Sequence, residues 1–368
     1  MKAIVHIGSP KAGSSSIQRF LFQNTKALAR QGLRFHRNVA KRGSQFEYPM
    51  ALLAREGEMI RGRAEQLRYH ARTLEEQRAS SEPYAAELMQ YAKRWKEPTA
   101  LFSSEHILPW LLTEDRVRAF DDMFRQAFSE VRYIVYFRDQ ADMIVSQYSE
   151  RMKQGRIFTL DTFISKRLPT LDIMRPADRW RTVVGAERLD VRLLDRGFLH
   201  QGDLLQAFCH ACGIDITGLE IPPRVNEALS APGAECVRML NRLIPDAHPE
   251  GGRNPLRAQL IRTVASVSGD LARIRLNPKQ KALVDEQLAQ PNEAFRQAFF
   301  PDRDPLFTPS SRADIVLSRG ELREQALEVM GKVFVKARLG EMRPLSARER
   351  KRAVVSDDLT GTAEDAVA

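Results

Sequence analysis

Near its start the chain reads His6-Ile7-Gly8-Ser9-Pro10-Lys11-Ala12-Gly13-Ser14-Ser15-Ser16-Ile17-Gln18. An apolar segment opens into a loop of glycines, a lysine and hydroxyls, and a helix-like stretch follows at once. A strand feeding a helix N-terminus through such a loop is built to hold an anion. Backbone N–H groups point outward, the helix dipole favours negative charge, and Lys11 adds a full positive one. The backbone of Ala12 and Gly13 and the hydroxyls of Ser14, Ser15 and Ser16 complete the candidate anion-binding set.

A second constellation follows the segment Tyr133-Ile134-Val135-Tyr136-Phe137. It ends in Arg138-Asp139, and the helical stretch beyond carries Ser146 two turns in. An arginine fork and a hydroxyl converging from adjacent elements suit a phosphate monoester, whose three oxygens need several donors. The competing reading pairs Arg138 with Asp139 or Asp142 at a helix start. A third group, Ser104-Glu105-His106, closes another apolar run and offers a carboxylate and an imidazole as proton acceptors.

These groups need elements to position them. Five short apolar runs, at 3–7, 33–35, 99–103, 132–137 and 189–194, read as buried parallel strands because they do not alternate with polar residues. Helical stretches separate them, at 15–31 (ending at Gly32), 64–94 (interrupted around Pro83), 114–128, 141–154 and 202–212. Strands alternating with helices mean an α/β fold with a central parallel sheet flanked by helices, and ligands at the C-terminal strand ends. After Pro222-Pro223 the strand signals fade, and 234–243, 257–271 and 280–288 read as helices. Phe299-Phe300-Pro301 and Leu306-Phe307 are expected to pack back onto the sheet. The expected division is a core over 1–230, a helical C-terminal extension over 231–345, and a disordered tail over 346–368.

Composition narrows the function classes. The 368 residues carry 57 Lys and Arg against 47 Asp and Glu, a net charge of +10 that points to polyanionic company. No recognition helix, zinc finger or RNA-binding aromatic pattern is visible, so nucleic acid is not the expected partner. No apolar run approaches the ~20 residues of a membrane helix, and no signal-peptide layout precedes the loop, so a soluble cytoplasmic protein is expected. Three cysteines give no disulfide framework. Cys209-His210-Ala211-Cys212 lacks a second ligand pair for zinc and reads as buried thiols in an apolar helix. Trp110 and Tyr48-Pro49 are candidates for an acceptor pocket, with core packing as the plainer reading. The basic run at 348–352 is a weaker candidate contact to a polyanionic ligand.

The loop differs from a Walker A motif, in which lysine directly follows the second glycine and precedes the magnesium-binding Ser or Thr. Here Gly13 is followed by Ser14, and the lysine stands behind Pro10. Pro10-Lys11-Ala12-Gly13-Ser14-Ser15 resembles the phosphosulfate loop of the sulfotransferases that use 3′-phosphoadenosine 5′-phosphosulfate (PAPS). Arg138 with Ser146 eight positions on resembles that family's 3′-phosphate motif, and the order of the two motifs agrees. Ser103-Ser104-Glu105-His106 and the stretch from Pro222 to Ser230 look most like bacterial members. The resemblance covers about residues 1–230.

The resemblance implies a P-loop-like three-layer fold, PAPS as co-substrate, no metal, and transfer of a sulfuryl group to an acceptor hydroxyl or amine, with a carbohydrate or glycolipid favoured. Lys11 would stabilise the leaving phosphate; Lys11, Ala12, Gly13, Ser14, Ser15 and Ser16 would bind the 5′-phosphate; Arg138 and Ser146 would hold the 3′-phosphate. Glu105 or His106 would take the acceptor proton. A late loop closing over the nucleotide would bring in Arg224 and Asn226. The alternatives are a P-loop nucleotide kinase or NTPase, which the displaced lysine disfavours, and a protein that binds adenosine 3′,5′-bisphosphate (PAP) or PAPS without turnover.

Overall fold

The structure, a computed structural model, describes residues 1–36, 43–223, 228–244, 254–308 and 316–338. Arg224, Asn226, the basic run at 348–352 and the expected tail lie outside the described residues. Along the chain β1 (Lys2–His6) leads to α1 (Ser14–Gln23) and α2 (Thr25–Arg30). Next, β2 (Leu33–Phe35) leads to α3 (Glu47–Arg55), α4 (Arg63–Arg68) and α5 (Leu74–Arg94). The following strand, β3 (Thr99–Ser103), precedes α6 (Ile107–Trp110) and α7 (Glu114–Ala127). Beyond it, β4 (Glu130–Phe137) precedes α8 (Gln140–Lys153), α9 (Leu160–Arg167) and α10 (Met174–Val184). Last of the strands, β5 (Leu189–Leu193) precedes α11 (Leu204–Cys212). Four helices follow: α12 (Ala231–Leu240), α13 (Pro255–Ser268), α14 (Pro278–Phe299) and α15 (Arg319–Arg338).

The five strands form one parallel sheet in the order β2-β3-β1-β4-β5. Successive strand residues face opposite ways, and the sheet is covered on both faces. Ala3, Val5, Phe102, Tyr133, Val135 and Phe137 pack with the apolar sides of α3, α5, α7 and α10. Leu101, Ile134 and Tyr136 pack on the other face with α1, α2 and α11. The result is the expected three-layer α/β architecture. β1 is central, and its neighbours β3 and β4 lie on opposite sides, so the crevice beyond its C-terminal end is where such a sheet binds ligands.

All five expected strands are present. The helices differ in places. α5 runs unbroken through Pro83, and the break falls at 69–73 instead, where His70 has a left-handed backbone and Thr73 caps the new helix by accepting from the Glu76 N–H at 3.1 Å. The stretch 15–31 is split at Asn24 into α1 and α2. α14 continues through Pro291, well past residue 288. Among the described residues no helix is long and apolar enough to cross a membrane.

The C-terminal helices build a second core. Met143, Ile144, Tyr148 and Met152 of α8 and Phe163 and Ile164 of α9 pack with α12, α13, α14 and α15. Phe295, Phe300 and Leu306 join the core under the sheet, as the aromatic punctuation implied. The C-terminal end of α8 is held as well: Asn241 Nδ2 and Arg257 Nη2 donate to the Met152 carbonyl at 2.8 and 3.1 Å. Ser149 Oγ accepts from the Leu229 N–H at 2.9 Å. One side of α8 is thus fixed by the helical extension, and its polar side is left for the crevice.

Candidate active site

The crevice is assembled by strand register. His6 at the end of β1 lies beside Ser103 of β3 and Ile134 of β4. His6 Nδ1 and Ser103 Oγ are hydrogen-bonded at 2.8 Å, tying two strand tips beneath the loop. The loop then folds over the tip of β3. Gly8 has φ 66°, and a Cβ there would stand 2.5 Å from Glu105 Cα and 2.6 Å from the Ser104 carbonyl oxygen. Only glycine permits that approach. Gly13, with φ 89°, is similarly tight against Leu204 at the start of α11.

Lys11 adopts φ 55°, a left-handed conformation that costs a non-glycine residue free energy and recurs at functional turns. α1 begins at Ser14 with no side-chain cap. Among the described residues the N–H groups of Gly13 and Ser14 have no backbone acceptor, and the buried Ser14 Oγ has no partner. Uncapped donors and an orphaned hydroxyl at a helix start are suited to an anion. Two residues of the expected set differ: the Ala12 N–H donates to the Ser9 carbonyl at 3.2 Å, and the Ser16 N–H to the Gly13 carbonyl at 3.0 Å. Ala12 packs into the core and Ser16 is exposed, so these two shape the turn.

β4 extends three residues past the end of β1, which delivers Arg138 alongside this loop. Arg138 Nη1 lies 3.4 Å from the Lys11 carbonyl oxygen, and Nη2 donates to Asp142 at 3.2 Å. Asp139 caps α8 by accepting from the Asp142 N–H at 2.9 Å. Residues four apart share a helix face, so Asp142, Ser146 and Glu150 form one stripe about 12 Å long. Its first end meets Arg138, and its last meets Lys11, whose Nζ is 4.0 Å from Glu150 Oε2. Ser146 sits midway, half-buried, without a hydrogen-bond partner among the described residues. The two constellations, 127 residues apart in sequence, therefore share one groove. The Arg138–Asp142 pair of the plainer reading is present too, on the groove's rim.

Glu105 and His106 reach the same edge and differ in character. The Glu105 side chain is 14% exposed, and its buried Oε2 has no partner among the described residues. Burial pushes its carboxyl up to about 7, with Gln18 and the charges of Arg68 and Lys11 acting in the other direction. His106 is wholly enclosed: Nε2 is hydrogen-bonded to Tyr69 Oη at 2.7 Å, and the ring stacks on Trp110 at 4.3 Å. Burial, helped by Arg68, lowers it to about 3, so the ring is neutral at physiological pH. Trp110 and Tyr48 are core residues, not pocket walls.

Gln18, Arg68, Tyr69 and Glu150 join the site without a local signal in the sequence. Cys209 and Cys212 are buried thiols held well above their ordinary value by burial. Among the described residues no cluster of three or more His, Cys, Asp or Glu could hold a metal. An open cleft of about 560 Å³ next to Arg125, Glu130 and Arg188 lies at the opposite, N-terminal end of β4 and is remote from all these groups.

Neither family models nor curated proteins give a match to this chain. Among solved structures it is similar to a sulfotransferase from Alicyclobacillus acidocaldarius, at 11% identity and a TM-score of 0.41, over 80% of this chain and 94% of that one. A likeness so distant carries no argument, and the functional reading rests on the groove.

Proposed function

We propose that the protein transfers a sulfuryl group from PAPS to an acceptor hydroxyl or amine, with residues 1–230 as the donor-binding core and 231–345 as the extension that braces α8. The observation that supports this most is the contact of Arg138 Nη1 with the Lys11 carbonyl at 3.4 Å, with Ser146 on the helix stripe between them. A ligand phosphorylated at two positions would engage both clusters at once. The uncapped start of α1, with Gly13, Ser14 and Ser15, would take the 5′-phosphate, and Arg138 with Ser146 would take the 3′-phosphate.

PAPS supplies an activated sulfuryl group on a phosphate leaving group. Lys11, held close to the loop by its left-handed backbone, is placed to neutralise charge developing on that phosphate, which lowers the barrier without a metal. Glu105 is the base in this reading. Its value near 7 lets it accept a proton at physiological pH, whereas His106 is enclosed, bonded to Tyr69 and too weak a base. His106 then acts as a positioning residue, 3.7 Å from Glu105 Oε1. The favoured acceptor class is a carbohydrate or glycolipid.

Thermal shift with PAP, PAPS, ATP and GTP side by side tests the donor. PAP and PAPS are expected to raise the melting temperature, while ATP and GTP, lacking a 3′-phosphate, raise it far less. Equal stabilisation by ATP would overturn the reading.

A further inference from the structure

The two cations assigned to phosphate each face a carboxylate of the chain itself. Arg138 Nη2 donates to Asp142 Oδ2 at 3.2 Å, and Lys11 Nζ stands 4.0 Å from Glu150 Oε2, both carboxylates lying on one face of α8. A permanent ion pair in the same fold looks different. Asp121, 4% exposed, accepts from Arg188 Nη1 and Nη2 at 2.7 and 2.8 Å and from Tyr133 Oη at 2.8 Å. The groove pairs are looser: one is a single hydrogen bond to a carboxylate 56% exposed, and the other is too long for a hydrogen bond. Both can also open without stranding a charge. Asp142 sits on the rim, where water replaces Arg138. Glu150, 13% exposed, keeps Lys153, whose Nζ lies 3.3 Å from the same Oε2. Opening a buried pair is costly when it leaves one charge unpaired, and here neither carboxylate is left so.

We infer that Asp142 and Glu150 are exchangeable counter-ions, Asp142 holding the place of the 3′-phosphate on Arg138 and Glu150 that of the 5′-phosphate on Lys11. The inference rests on the donor reading and adds a role in turnover. A bound bisphosphate takes both cations from α8. When it leaves, the carboxylates take them back, so the pairs that oppose entry also favour release of PAP. Lys153 serves as a positioning residue, holding Glu150 while Lys11 is engaged with the ligand.

Titration calorimetry of the full chain with AMP and PAP separates the two counter-ions, because AMP carries the 5′-phosphate alone. Asp142→Asn is expected to tighten PAP by about two- to fivefold and to leave AMP within about twofold. Glu150→Gln, whose pair is better shielded from solvent, is expected to tighten AMP and PAP alike by about fivefold or more. Each gain should vanish when the paired cation is also replaced, in Arg138→Met and Lys11→Met backgrounds respectively. A purely bracing role for the carboxylates predicts unchanged or weaker binding instead. Asp142 lies on the rim away from the core, so its arm reads the inference even where Glu150→Gln does not fold. If the wild-type chain binds no PAP, the donor reading falls and the inference with it. If PAP binds, then an Asp142→Asn variant that leaves PAP unchanged or tightens AMP equally overturns the inference alone, as does a gain that persists without the paired cation.

Discussion

Glu105 is expected to weaken the fold that it serves, and replacing it should show this directly. Its carboxyl rises from an ordinary value of 4.5 to about 7 in the folded protein, because burial disfavours the charged form. As pH rises above 4.5 the unfolded chain gives up this proton before the folded one does. Stability is therefore lost as pH climbs from 4.5 towards 7 and levels off above. By linkage the loss is about 3 kcal/mol at pH 7 to 8, about 2 kcal/mol at pH 6 and under about 1 kcal/mol at pH 5. Glu105→Gln keeps the shape and removes the charge, so it should be more stable than wild type by up to those amounts. Urea denaturation of both proteins across that pH range measures the difference. Turnover by the variant should meanwhile fall by about 10²- to 10⁴-fold, the usual contribution of a general base. A variant that is less stable than wild type, or whose advantage is the same at pH 5 and pH 8, would refute the account of Glu105 as a buried, proton-holding carboxyl.

Other expectations concern the groove. Arg138→Ala should weaken PAP by about 10- to 100-fold, the loss of one or two charge-assisted hydrogen bonds to phosphate, and leave AMP binding nearly unchanged by calorimetry. Asp142→Asn should act in the opposite sense and tighten PAP, because Asp142 now competes for Arg138 at 3.2 Å. Gly8→Ala should cost both stability and PAP binding, since the added methyl would sit 2.5 Å from Glu105 Cα in a left-handed turn. Denaturation midpoints and calorimetry on the same sample check it.

The strands were the legible part of this fold. Runs such as 99–103 and 132–137 are apolar on both faces because both faces are buried, and that pattern is local. Helix interruptions were harder. Pro83 reads as a break and 280–288 as a whole helix, yet α5 runs on through Pro83 and α14 through Pro291, while the break at 69–73 comes from an ordinary His70-Ala71-Arg72 stretch. The anion loop and the Arg138–Ser146 pair were legible because their residues are close in sequence. The placement of the Gln18 side chain beside Glu105 was not, since only folding brings the two near. The opposing fates of Glu105 and His106 likewise depend on which side chain the Tyr69 and Trp110 packing encloses, a property that no neighbouring residue in the sequence announces.

The central claim is that one molecule bearing two phosphates bridges the Lys11 loop and the Arg138–Ser146 pair. Titration calorimetry of PAP against AMP isolates the second phosphate. The account predicts one PAP per chain, bound at least about 30-fold more tightly than AMP, a gap of about 2 kcal/mol. Equal affinity for the two nucleotides, or two PAP molecules per chain, would contradict it.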